Sequence, residues 1–329
     1  MKDMHILLFG VGRSGTKAVQ LYLSYLLAKQ NGSAWINYEP YFWLNRKTSI
    51  INYEGLYHHA SSPNLATSPD QFSKRHRNFL SDLSSPEGHI VTKFIRGNGR
   101  IRAIVPLLKP DLTIVIVRDL YQVLTSVLRT NWDFLSVGFE YRMNWDNFLR
   151  EVRKSGLIEN FDWCDERITD RLDRNAFYWY VMNLAAIEYA TEDIIFIDYA
   201  DISRTEKIAG GIFGSDPLPK ISDAMFNGDY IHGDYPLISD QQRYSAKELV
   251  NSFLYKSQLT DKYGFCLRTR RAGDHVKVND EFTIIEPPEP KPTKIAIEKK
   301  DLYEFFNQDI TKRLNTIISL SPIDRITKA

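Results

Sequence analysis

Short apolar runs alternate along this chain with longer segments whose apolar positions recur at helical spacing. The runs at Ile6–Phe9, Ala34–Tyr38, His89–Phe94, Leu112–Val117 and Asp193–Tyr199 are rich in aliphatic and aromatic residues. Such runs read as strands buried on both faces. Between and after them, helices are predicted over Ala18–Ala28, Pro69–Leu83, a run from Arg96 to Leu108, Leu120–Arg129, Asn144–Gly156, Arg174–Thr191, Ser245–Asp261 with Ser245 as its cap, and Asp301–Ile318. Asn31-Gly32 stops the first helix, and Gly210 to Tyr235 reads as irregular. Strands separated by helices predict an α/β fold with a mostly parallel central sheet and helices on both faces. At 329 residues the chain can hold one large α/β domain or two modest ones. Serine-proline pairs mark an insertion on the substrate side at about 44–88. A stiff proline-rich linker and a closing helix follow at about 284–320.

Composition narrows the function. Hydrophobic residues make up 43% of the 329 positions, enough for a large core. The formal net charge is +1, so no overall field points to nucleic acid or a membrane surface, and any cationic site must be local. Cys164 and Cys266 make neither a disulfide framework nor a metal-ligand spacing, which suits a reducing compartment. The apolar stretch Ile6–Val11 is too short for a signal peptide core or a transmembrane segment. A cytoplasmic protein with no metal and no nucleic-acid partner is the expectation.

The chemistry concentrates where the first strand ends. Gly10-Val11-Gly12-Arg13-Ser14-Gly15-Thr16-Lys17 reads as strand, glycine loop and helix start, with backbone N–H groups and a helix dipole converging on an anion. The order Thr16-Lys17 reverses the lysine-hydroxyl pair of a nucleoside triphosphatase loop, so the hydroxyl that would ligate magnesium there is missing. Arg13, Thr16 and Lys17 are instead placed to clamp a phosphate directly. The fourth strand ends in Arg118, with Ser126 on the following helix. Glu39-Pro40-Tyr41-Phe42 sits just beyond the second strand, where ligands of open α/β sheets gather. Lys93 closes the third, and Arg96, Arg100 and Arg102 follow as either a solvated helix start or an anion-receiving cluster.

These residues resemble the sulfotransferases that use 3′-phosphoadenosine 5′-phosphosulfate. Arg13-Ser14-Gly15-Thr16-Lys17 is similar to the family's 5′-phosphosulfate loop, and Arg118 with Ser126 is similar to its 3′-phosphate motif. The resemblance implies a P-loop-like three-layer fold, with 1–329 as a single domain. It also implies donor contacts from Gly12, Arg13, Ser14, Gly15, Thr16, Lys17, Arg118 and Ser126, with adenosine 3′,5′-bisphosphate as product. Arg268 to Thr283 resembles the loop that closes over the 3′-phosphate, which adds Arg271, although its spacing is shorter. Tyr199-Ala200-Asp201-Ile202 resembles the corner after a family strand, with alanine in place of the usual acid.

Phenol-sulfating members resemble one another in a histidine two residues after the strand-end lysine. This chain has Ile95 there. Glu39-Pro40-Tyr41-Phe42 instead resembles the glutamate motif of carbohydrate and heparan sulfate sulfotransferases, and Leu302 to Asn307 resembles their closing helix. The resemblance therefore implies a carbohydrate or glycolipid acceptor, Glu39 as base, and Arg13 and Lys93 as the cations beside the leaving group. Two other readings stay open: a P-loop nucleotide kinase or triphosphatase, and a non-catalytic nucleotide-binding protein of the same fold.

Overall fold

The structure is a computed structural model and describes residues 2–40, 63–130, 134–135, 141–214, 221, 241–245 and 297–320. Six strands form one sheet: β1 (His5–Phe9), β2 (Ser33–Tyr38), β3 (Ile90–Phe94), β4 (Leu112–Val117), β5 (Ile194–Asp198) and β6 (Gln241–Ser245), in the order β5-β4-β1-β3-β2-β6. The first five are mutually parallel, and β6 adds an antiparallel edge to β2. β1 lies in the middle, with Leu8 in register with Lys93 on one side and Ile114 on the other. The fold is α/β, three-layered and P-loop-like, as the alternation predicts.

Nine helices are described: α1 (Thr16–Asn31), α2 (Lys74–Leu83), α3 (Ile101–Leu108), α4 (Leu120–Thr130), α5 (Tyr141–Ser155), α6 (Phe161–Asp165), α7 (Arg171–Glu188), α8 (Arg204–Phe213) and α9 (Asp301–Leu320). Alternate strand residues point to opposite faces and so divide the core in two. Ile6 and Leu8 pack with Val19, Leu23 and Leu27 of α1 and Ile208 of α8. Leu7 and Phe9 face the layer containing Phe79, Ile104, Leu124, Phe177 and Phe306. Tyr180 of α7 stacks on Phe306 of α9 with ring centroids 4.4 Å apart. The start of α9 is tied down by charge. Asp173 is fully buried and accepts from Lys300 Nζ at 2.8 Å and Tyr303 Oη at 2.7 Å. Burial pushes that carboxyl upward, but these bonds and those from Thr169 outweigh it and hold the pKa down at about 2.

Several boundaries differ from the sequence expectation for local reasons. α7 starts at Arg171 because Asp170 and Asp173 form a reciprocal capping box. The Pro69–Leu83 segment splits into a 3-10 turn, Pro69–Gln71, and α2, because Ser73 caps the helix by accepting from His76 N at 3.1 Å. Ser245 ends β6 opposite Ser33, and the helix expected after it, 246–261, lies outside the described residues. Residues 210–213 are helical rather than irregular, since α8 runs through both glycines and stops at Gly214, φ 85°. Of the insertion, Leu65, Ala66, Phe72, Phe79, Leu80 and Leu83 join the main core, while 41–62 lies outside the described residues. The linker at 284–296 also lies outside them, and α9 follows as predicted.

His5, His76 and His89 are buried, and burial holds each below its ordinary pKa. His5 shares a hydrogen bond with Thr92 Oγ1 at 3.2 Å, and His76 packs on the Phe72 ring. Burial lowers their pKa values from 6.5 to about 4 and about 3, with Arg100 adding to the shift at His76. A histidine whose folded pKa lies below its unfolded value leaves the unfolded chain holding more protons. Stability is therefore full above about pH 6.5 and falls as the pH drops through that value. Each histidine contributes at most about 1.4 kcal/mol per pH unit. Urea midpoints measured from pH 7.5 to 5 are expected to fall, and His76→Leu is expected to flatten the slope.

Candidate functional site

The site lies at the carboxyl ends of the parallel strands. β1 ends at Phe9, and the chain turns through Gly10 to Gly15 into α1. A Cβ on Gly10 would lie 2.6 Å from the Thr16 methyl and 2.9 Å from the Ile116 carbonyl oxygen. Gly15, φ 84°, precedes α1 and offers no side-chain acceptor to the first-turn N–H groups of that helix. Arg13 adopts φ 75° and Glu39 φ 50°; with Lys109 they are the only non-glycine residues of positive φ among those described. A strained backbone at two strand ends of one sheet edge marks the positions where the fold favours side-chain placement over local ease.

The two anion motifs meet. Arg13 Nε donates to Ser126 Oγ at 2.8 Å, and Arg118 Nη1 donates to the Arg13 carbonyl at 3.0 Å. The Arg118 guanidinium lies 4.2 Å from the centroid of the Tyr199 ring and donates from Nε to Gln122 Oε1 at 2.9 Å. Its own carbonyl accepts from Trp179 Nε1 at 3.1 Å. The Tyr199 ring also occupies the space where a Gly15 side chain would go. Thr16 and Ser14 are buried, and Ser14 Oγ makes no hydrogen bond among the described residues.

One strand away stands an acid–cation pair. Lys93 lies on the α1 face of β3, and its Nζ donates to Glu39 Oε1 at 2.5 Å. The side chains are 1% and 10% exposed. The Glu39 N–H extends the β2–β3 ladder by donating to the Lys93 carbonyl at 3.1 Å. Burial pushes the Lys93 ammonium below its ordinary pKa; Glu39 opposes this and the nearby Arg13 charge adds to it. In the sheet Lys93 lies in register with Leu8 of β1, the strand that leads into the loop.

Arg100 and Arg102 do not gather here. Arg100 is 3% exposed and is used internally, donating from Nε to the Pro63 carbonyl at 2.5 Å and from Nη1 to the Arg96 carbonyl at 3.3 Å. Arg102 is exposed and lines a separate surface groove with Ile101, Val105, Pro106 and Tyr189. Arg271 and Tyr41 to Trp43 lie outside the described residues.

Chemically, Arg13, Lys17, Arg118, Ser126 and the α1 N-terminus can surround an anion with more than one charged group, and Glu39 can take a proton next to it. Sequence reasoning missed Trp179, Gln122 and Asn307. Trp179 sits in an aromatic run that reads as core. Gln122, four residues after Arg118 on a helix, was the one signal available. No group of three or more His, Cys, Asp or Glu side chains among the described residues is arranged to hold a metal ion, and none of the described helices is long and apolar enough to cross a membrane. No family model and no curated protein sequence matches the chain.

Proposed function

We propose that this protein is a sulfotransferase that moves a sulfuryl group from 3′-phosphoadenosine 5′-phosphosulfate to a hydroxyl of a carbohydrate or glycolipid acceptor. The observation that carries this reading is the contact chain Arg118–Arg13–Ser126, which joins the two anion motifs at one sheet edge. A nucleotide with phosphate at both ends of its ribose needs two cationic pockets a ribose apart. The residues fit it on chemical grounds: left-handed Arg13 and Gly15 turn the loop, α1 presents its N–H groups, and Arg118 and Ser126 stand across from them.

In this reading the donor supplies an activated sulfuryl group. Glu39 receives the acceptor hydroxyl's proton as the new oxygen–sulfur bond forms. Arg13 and the α1 N-terminus take up the negative charge left on the departing phosphate. Arginine stays protonated, so Arg13 acts by charge and not by giving a proton. Lys93, buried behind Glu39, fixes the carboxylate's direction.

Thermal denaturation with ligands tests the nucleotide. Adenosine 3′,5′-bisphosphate at a hundredfold excess over its Kd is expected to stabilise the protein by about 2.7 kcal/mol, whereas ATP with magnesium leaves it unchanged. The opposite outcome makes the protein a P-loop kinase or triphosphatase. Labelled donor offered to a panel of glycans, glycolipids and phenols then separates an enzyme from a binding protein: stabilisation without transfer to any acceptor selects the latter.

A further inference from the structure

Arg118 and Asp119 are adjacent, oppositely charged and partly exposed, yet among the described residues Arg118 forms no ion pair. Its guanidinium meets only neutral partners: the Gln122 amide oxygen, the Arg13 carbonyl and the Tyr199 ring. The neighbouring carboxylate is occupied elsewhere. Asp119 Oδ1 caps α4 by accepting from Gln122 N at 3.0 Å, and Oδ2 accepts from Asn307 Nδ2 at 2.9 Å. Asn307 also accepts from Leu120 N through Oδ1 at 3.0 Å, so one amide grips both the carboxylate and the first turn of the helix. It arrives from α9, 188 residues along the chain. α9 is held in place by Tyr121 Oη donating to Glu304 at 2.7 Å and by the Asp173–Lys300–Tyr303 cluster.

We infer that Asn307 is a positioning residue that draws Asp119 away from Arg118 and so keeps the Arg118 charge available for the ribose 3′-phosphate of the nucleotide. The inference rests on the nucleotide reading proposed above. Its physical content is a competition: a carboxylate one residue away, once released, pairs with the guanidinium and must be displaced by the incoming phosphate. A neutral amide holds that carboxylate without adding charge of its own. The closing helix thereby sets selectivity for nucleotides carrying a 3′-phosphate over those lacking it.

The test compares Kd values for adenosine 3′,5′-bisphosphate and adenosine 5′-monophosphate by calorimetry. Asn307→Leu is expected to weaken the bisphosphate about tenfold, the effect of one charge-assisted bond, and to leave the monophosphate within a factor of two. Adding Asp119→Asn to that variant removes the competing charge and is expected to restore bisphosphate affinity. A residue that merely braced the helix would give no such rescue, because Asp119→Asn keeps an acceptor for Gln122 N and restores no contact to α9. Where the leucine variant does not fold, Asn307→Asp retains the acceptor for Leu120 and drives Asp119 off by repulsion. It is expected to show the same selective loss and the same rescue in N307D/D119N. Equal bisphosphate affinity in wild type and N307L, or loss without rescue, overturns the inference while leaving the nucleotide reading standing. A wild-type protein that does not prefer the bisphosphate overturns both.

Discussion

Glu39→Gln is expected to lower the turnover of sulfuryl transfer by about a thousandfold, the middle of the range for a positioned general base, with adenosine 3′,5′-bisphosphate bound as tightly as by the wild type. Glutamine keeps the shape and still accepts from Lys93, so the pocket persists, but it cannot take a proton. The separation of binding from turnover is the informative part, because loop residues such as Arg13 should lose both together. Calorimetry with the bisphosphate and a labelled-donor assay on the same preparation measure the two. Undiminished turnover in E39Q rules out Glu39 as the base and leaves the nucleotide assignment untouched.

The largest effect on stability is expected from Lys93→Met. Removing the ammonium strands the Glu39 carboxylate, only 10% exposed, without its counter-charge. Breaking one side of a buried ion pair costs about 3–5 kcal/mol, a large part of the stability of an ordinary domain. The double variant K93M/E39L removes both charges and, by the same reasoning, should recover most of that loss. Urea denaturation of wild type, both single variants and the double variant closes the cycle. A double variant no more stable than K93M would mean that Lys93 contributes by packing its stem beneath α1, and that its charge does little.

Much of the architecture was legible because the signals were local. Each buried strand announces itself as a continuous apolar run, and the Gly10–Lys17 loop and the Arg118–Ser126 spacing are each confined to a dozen residues. β6 escaped because Gln241-Gln242-Arg243-Tyr244-Ser245 has no apolar alternation; its pairing with β2 makes it a strand. α8 has no counterpart in the sequence reading, and its last turn falls in the stretch read as irregular from Gly210 on; there the glycine penalty is outweighed by burial of Ile208 and Ala209 on the α1 side of the sheet. At the site, Glu39 and Lys93 were legible as strand-end residues, but not their bond to one another, which depends on β2 and β3 being neighbours. Arg100 looked like a surface cation and is instead spent on two carbonyls, since its surroundings belong to a loop thirty-odd residues earlier. Trp179 and Asn307 were invisible as site residues because their partners stand 61 and 188 positions away.

The central place of β1 has a consequence for how the molecule comes into being. A chain halted before residue 90 already contains every residue from Gly10 to Lys17, yet lacks both strands that flank β1 in the sheet. Pairing across such sequence distances is slow and is won late. Until β3 and β4 have docked, the loop has no fixed backbone from which to grip an anion. A fragment of the first ninety residues is accordingly expected to be blind to phosphate, and affinity for it should emerge together with the sheet as a whole.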